Sequence, residues 1–213
     1  MLTVTLFFKT FVGLFAVMDP IGVIPMFIVM TGSNTDAERR VMIRRAGVAS
    51  FVVLLFFGLT QMWLFHFFGF TMGAFRVAGG LFLFLIAFEM ISAQPSGTKQ
   101  TEEEKQEGVE KPDISITPLA VPLLAGPATI ASAVLAFGQA RTFWQFAAVS
   151  LSAVAVCAAS WVILRASGKI QALIGMTGIK VVSRMMGLIL AAMAIQFAAD
   201  GLRELFPLLA SVR

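Results

Sequence analysis

The sequence is poor in the residues that usually carry chemistry. Its 213 residues include one cysteine, Cys157, and one histidine, His66. A lone cysteine excludes an intrachain disulfide and any multi-cysteine metal site. Cys157 lies in "SLSAVAVCAAS" (150–160), an apolar run of small residues that reads as a packing surface holding an inert thiol. No G-x-S-x-G, H-E-x-x-H or G-x-x-x-x-G-K-[ST] pattern occurs, so the sequence signals no hydrolase elbow, zinc-protease helix or phosphate-binding loop. An enzyme would need an activated nucleophile or a ligand cluster. The reading is of a non-enzyme, with no catalytic residue, metal site or cofactor. A secretory signal is missing too: Lys9 lies inside the first apolar run, no basic cluster precedes it, and no small-x-small site follows. That run reads as a retained span.

Charge is also scarce. Charged residues make up 13% of the chain, where a soluble domain carries about a quarter. Hydrophobic residues reach 58%, and the mean hydropathy is +0.89. Helices that are apolar all round belong in a membrane. The net charge of +4 is not arranged as a basic stripe interleaved with aromatics, so nucleic acid is excluded as a partner and the lipid bilayer takes its place.

Six apolar stretches are long enough to cross a core of about 30 Å: 6–30, 46–68, 71–92, 116–138, 143–165 and 179–206. A polar segment at 93–115 separates a first three-helix unit (1–92) from a second (116–213), giving an all-α, six-span membrane domain. The segment holds Glu102, Glu103, Glu104, Glu107, Glu110 and Asp113, half of the twelve acids, and cannot bury apolar surface. Eleven of the sixteen basic residues fall on one side, in the loops around Arg39–Arg45, the linker and Arg165–Arg184. Lys9, Arg76, Arg141, Arg203 and Arg213 fall on the other. The positive-inside rule then places the linker in the cytoplasm and both termini outside, periplasmic in a bacterial inner membrane.

The halves resemble each other. "RVAGGLFLFLIAFE" (76–89) and "RMMGLILAAMAIQF" (184–197) match Gly80, Leu81, Leu83 and Ala87 to Gly187, Leu188, Leu190 and Ala194 at a separation of 107. Glu89 then falls opposite Gln196, and both are pathway candidates. The same separation sets Pro20 opposite Pro127; a rival register pairs Pro20 with Pro122 and Pro25 with Pro127. Three spans per half make the repeat inverted, and transporters often bind their substrates where such repeats meet.

The first span contains "VMDPIGVIP" (17–25) and the fourth "TPLAVPLLAGPATIAS" (117–132). Proline lacks a backbone donor and clashes with the preceding turn, so both spans should be discontinuous. Freed backbone groups must face protein or a wet cavity, because hydrocarbon cannot satisfy them. A carboxylate at such a break costs at least ~2.5 kcal/mol on insertion scales, which makes function its default explanation. Opposed half-helix ends offer N–H groups to a carboxylate and C=O groups to a cation. The candidate binding residues are Asp19, Pro20, Gly22 and Pro25 from the first half, with Gly126, Pro127, Thr129 and Ser132 from the second.

"DPIGVIPMFI", "PLAVPLLAGPATI", "FRVAGG" and "RMMGLIL" together resemble the MarC family of bacterial inner-membrane proteins, in particular its YchE-like branch. The resemblance implies a member of the lysine-exporter-like superfamily and a link to neutral amino acid transport. Similar proteins also carry Asn where Asp19 stands, so a titrating group there is not a family-wide requirement. Where the family has a further glycine after the second-half proline, this sequence has Ala128. The resulting expectation is a secondary transporter or exporter of a small solute, a neutral amino acid, coupled to H+ or Na+ and compatible with a homo-oligomer. A non-transporting assembly or stress-response protein is the alternative.

Overall fold

A computed structural model describes residues 2–92 and 111–206. Most of the acidic linker, 93–110, and the C-terminal 207–213 lie outside the described residues. Among those described, every regular element is helical: α1 (Leu2–Met18), α2 (Ile24–Met30), α3 (Asp36–Phe68), α4 (Met72–Ser92), α5 (Ser115–Leu124), α6 (Pro127–Gln139), α7 (Phe143–Arg165) and α8 (Ser167–Leu205). The helices α3, α4, α7 and α8 are long and apolar enough to cross a membrane, and α5 with α6 forms a fifth span if the pair, bent by 60°, is counted as one. The chain is thus an all-helical, multi-pass membrane protein. Large apolar side chains such as Trp63, Phe67, Leu85 and Val162 point outward, where lipid covers them.

Local chemistry fixes the helix ends. Thr35 accepts a hydrogen bond from the Glu38 amide while Glu38 accepts from the Thr35 amide, a capping box that opens α3. This cap starts the helix ten residues before the apolar stretch at 46, so its first turns carry Arg39, Arg40, Arg44 and Arg45. At about 1.5 Å per residue, its 33 residues outreach a bilayer core. Gly69, with φ of 70°, closes α3 in the left-handed conformation that glycine adopts without penalty. A second capping box, Thr142 with Gln145, opens α7. The last helix is interrupted at Gly175, where φ is 65°, so the span proper follows that residue.

Contacts at the element ends define two poles. At one, Arg45 pairs with Asp113 at 2.9 Å and Asn34 donates to the Pro112 carbonyl at 3.2 Å. At the other, Arg76 of α4 pairs with Glu204 of α8 at 2.7 Å. Between the poles α4 and α8 run antiparallel: Gly73 meets Gly201, Gly80 meets Ala194 and Ala198, and Gly187 meets Ala87 and Met90. One apolar core joins α1 and α2 to α3, α5 and α7 through residues such as Leu14, Ile24, Phe27, Leu54, Leu119 and Val156. A second joins α4, α6 and α8, with Val17 of α1 inserted into it.

Candidate functional site

The first helix breaks immediately after Met18. Asp19 has φ of 43°, the left-handed region that few residues other than glycine enter. Asp and Asn tolerate that region best because their short polar side chains bond locally. Here the Asp19 Oδ1 accepts from the Gly22 amide at 3.1 Å. The carboxylate therefore caps a donor that the break sets free, with 5% of its residue surface exposed. The Asp19 amide still donates to the Phe15 carbonyl, and the Val23 amide donates to the Asp19 carbonyl. Pro20 is buried in the turn. Pro25 lies in the first turn of α2, where a missing N–H costs least.

Gly22 is there because nothing larger fits. A Cβ on it would lie 2.0 Å from Asp19 Oδ2 and 2.8 Å from Ser183 Oγ. The break is thus packed against Ser183 of α8, whose buried hydroxyl has no hydrogen-bond partner among the described residues. Sequence reasoning did not single out Ser183, which lies between Lys180 and Arg184 in a stretch that reads as interfacial. Met18 is tied to α7, where the Ser160 hydroxyl donates to its sulfur at 3.0 Å.

The second break has its own mechanism. Thr117 and Val121, each preceding a proline, have extended backbone (φ −123° and −131°), as a following proline ring demands. The intervening turns close through i→i+5 bonds, Leu119 to Ile114 and Ala125 to Ala120. Gly126 then caps α6 in an extended conformation, and Pro127 follows as its first residue. A Cβ on Gly126 would lie 2.4 Å from the Pro122 carbonyl oxygen, so this bend also requires glycine. Pro127 itself is exposed; Thr129 and Ser132 are buried, at 3% and 4%.

Not all the candidates converge. Val17 and Ala128, which flank the two breaks, belong to one apolar cluster. Ser132 lies farther along α6, facing Lys9, Thr10 and Gly13 of α1 across a cavity of only about 10 Å³, room for one water at most. Glu89 is half-buried on α4. Gln196 is exposed and donates to Asp200 Oδ1 at 2.8 Å on its own helix, so it faces away from the breaks. No cluster of three potential metal ligands occurs among the described residues.

A family model described as "MarC family integral membrane protein" matches residues 4–206. The chain is 38% identical over 202 residues to the UPF0056 membrane protein YvbG of Bacillus subtilis (strain 168), covering 94% of this chain and 96% of that one. It is 36% identical to the UPF0056 membrane protein YhcE of Escherichia coli (strain K12), with 94% of each covered. An archaeal relative, UPF0056 membrane protein PYRAB13050 of Pyrococcus abyssi (strain GE5 / Orsay), is 35% identical over 92% of this chain and 94% of its own length. No solved structure matches. With broken apolar helices, a lipid-facing exterior and relatives matched along nearly their whole length, the chain belongs to the MarC family of integral membrane proteins.

Proposed function

We propose that this protein is a secondary transporter that moves a small solute, a neutral amino acid, by alternating access around its two broken helices. The observation that carries the reading is Asp19: a buried carboxylate on a non-glycine residue in left-handed backbone, at the break between two apolar helices. Strained backbone costs on the order of 1–3 kcal/mol and persists where the surroundings over-determine it, often at functional sites. Asp19, Pro20, Gly22 and Pro25, with Gly126, Pro127, Thr129 and Ser132, form the substrate region in this reading. Ser183 adds a hydroxyl to it.

The architecture proposed is six spans in two inverted repeats. It draws support from the α4–α8 contact, where Gly80 abuts Ala194 and Gly187 abuts Ala87. These two contacts interchange under the 107-residue offset found in the sequence. Leu83 and Leu190 are both fully buried, and Leu81 and Leu188 are both about 60% exposed, as an inverted repeat requires. The antiparallel course of α4 and α8 also favours a full crossing by α5 and α6. A re-entrant pair, followed by one crossing in α7, would leave α8 parallel to α4. The basic pole lies in the cytoplasm of a bacterial cell in this reading, with both termini periplasmic, and H+ or Na+ supplies the driving force.

The direct test is uptake of radiolabelled leucine and alanine into proteoliposomes containing the purified protein. Uptake above that of protein-free liposomes, dependent on an imposed ion gradient, is expected. No uptake of any neutral amino acid, with or without gradients, would overturn the reading.

A further inference from the structure

At the Glu204 pole, α3, α4 and α6 leave a cavity of about 540 Å³, within the range of small-molecule sites. By contrast, the space between α1, α6 and α8 beside Ser132 admits no solute in this conformation. The floor of the larger cavity is Phe137, 1% exposed, and its ring fills a notch at Gly58, where a Cβ would lie 2.2 Å from it. Beside Phe137, Gly138 leaves the space into which Met72 and Gln61 press, the Gln61 Oε1 lying 3.3 Å from where a Cβ would stand.

Gln61 is the informative residue. It lines the cavity, is 3% exposed, and its Oε1 has no hydrogen-bond partner among the described residues. An unpaired buried acceptor carries a desolvation penalty that a bound donor would remove. Charges of both signs share the same wall: Arg141, and Glu204 with its partner Arg76. The rings of Phe65 and Phe146 supply the apolar remainder.

We propose that this cavity binds a small zwitterion with an apolar side chain, an α-amino acid, before it reaches the broken helices. The Arg141 guanidinium takes the carboxylate in a charge-assisted contact. The ammonium donates to the Glu204 carboxylate and, once the Gln61 amide turns its enclosed oxygen toward the cavity, to Gln61 Oε1, and the side chain rests on the phenylalanines. The substrate class rests on the transport reading above; the site itself rests on the unpaired Gln61 acceptor and the mixed charges.

The test is binding of tritiated leucine to the purified full-length protein in lipid nanodiscs. Unlabelled leucine should compete, whereas leucinamide (no carboxylate) and isocaproate (no amine) should each compete at least about tenfold less well, because a charged hydrogen bond is worth that factor or more. Gln61→Leu and Arg141→Gln should weaken leucine binding by at least about tenfold on the same ground. A second measurement keeps the result independent of folding in those variants. In Phe70→Cys on a Cys157→Ser background, leucine should slow labelling by a maleimide, since residue 70 lines the cavity. Unchanged binding in both variants, or labelling indifferent to leucine, would overturn the proposal. Leucine flux with none of these dependences removes the site and leaves the transport reading standing. Binding with these properties in a protein that shows no flux does the reverse.

Discussion

At the scale of single residues, the broken first helix depends on a close fit between two side-chain positions. Asp19 must accept from the Gly22 amide, and Gly22 must lack a side chain so that Asp19 and Ser183 can close on it. Gly22→Ala is therefore expected to destabilise the protein by about 1–3 kcal/mol, the usual cost of overpacking a rigid site. Gly168→Ala, where a Cβ meets nothing within 4 Å, should be neutral. Thermal unfolding in detergent, followed by far-UV circular dichroism, compares the two. A Gly22→Ala midpoint equal to the parent's would show that the break relaxes freely.

A second residue-scale prediction concerns the basic pole. Hydrogen bonds from the Ser115 hydroxyl and amide, with the nearby Arg45 guanidinium, hold the Asp113 carboxyl below its ordinary value of 3.8. A depressed carboxyl stabilises the folded state above its unfolded pKa, and the contribution is lost as pH falls through the folded value. The stability difference between parent and Asp113→Asn should be constant above about pH 5 and should shrink below about pH 4. Asp113 is nearly half exposed, so the difference should be small. Denaturant titrations at pH 7 and pH 3 measure it, and a gap that widens in acid would contradict the assignment.

These residues were unequally legible in the sequence. Asp19 and its prolines stand out because an apolar helix has no local use for them. Ser183 does not, since only packing brings α8 against the break. Gln61 is one amide in an apolar run, and its meaning depends on burial and on a missing partner, neither of which a sequence displays.

At the scale of elements, the α4–α8 pair rests on backbone proximity. A Cβ on Gly80 would lie 2.7 Å from the Ala194 carbonyl oxygen and 2.8 Å from the Ala198 amide nitrogen, backbone atoms that cannot turn aside. A Cβ on Gly187 would meet Met90 Cβ at 2.9 Å and the Ala87 carbonyl at 3.1 Å. Gly80→Ala should thus cost about 1–3 kcal/mol, and Gly187→Ala less. Gly47→Ala, whose nearest contact is 3.9 Å away, should be tolerated. The fraction of each variant that elutes as a monodisperse species from gel filtration reports the order, and full tolerance of Gly80→Ala would contradict this packing.

The matching strings around Gly80 and Gly187 were readable as a repeat, but that the two helices carrying them pack on each other was not. The true start of α3 was not read from hydropathy, which registers only the apolar portion from 46 onward. Yet the Thr35-x-x-Glu38 box that starts the helix was present in the sequence all along. Wide turns in α5 were also foreseeable in kind, from Pro118 and Pro122, but not in their hydrogen-bond pattern.

At the scale of the whole molecule, the claim is that a chain with two poles and two interrupted helices carries a solute between its faces. Orientation is checked separately. Single cysteines placed in the linker, in a Cys157→Ser background, should resist an impermeant thiol reagent in intact cells, and ready labelling would reverse the topology.

The central measurement is leucine flux by the parent, Asp19→Asn and Asp19→Gly in proteoliposomes at matched protein content and across external pH. Glycine keeps the left-handed backbone without penalty while removing the side-chain acceptor, so loss of flux cannot be laid to backbone strain. Asparagine keeps both the backbone tolerance and an acceptor for the Gly22 amide, but cannot ionise. The account predicts that Asp19→Asn retains flux, with altered pH dependence if the carboxylate takes up a proton, and that Asp19→Gly falls to the level of protein-free liposomes. Flux by Asp19→Gly equal to the parent's at every pH would contradict it.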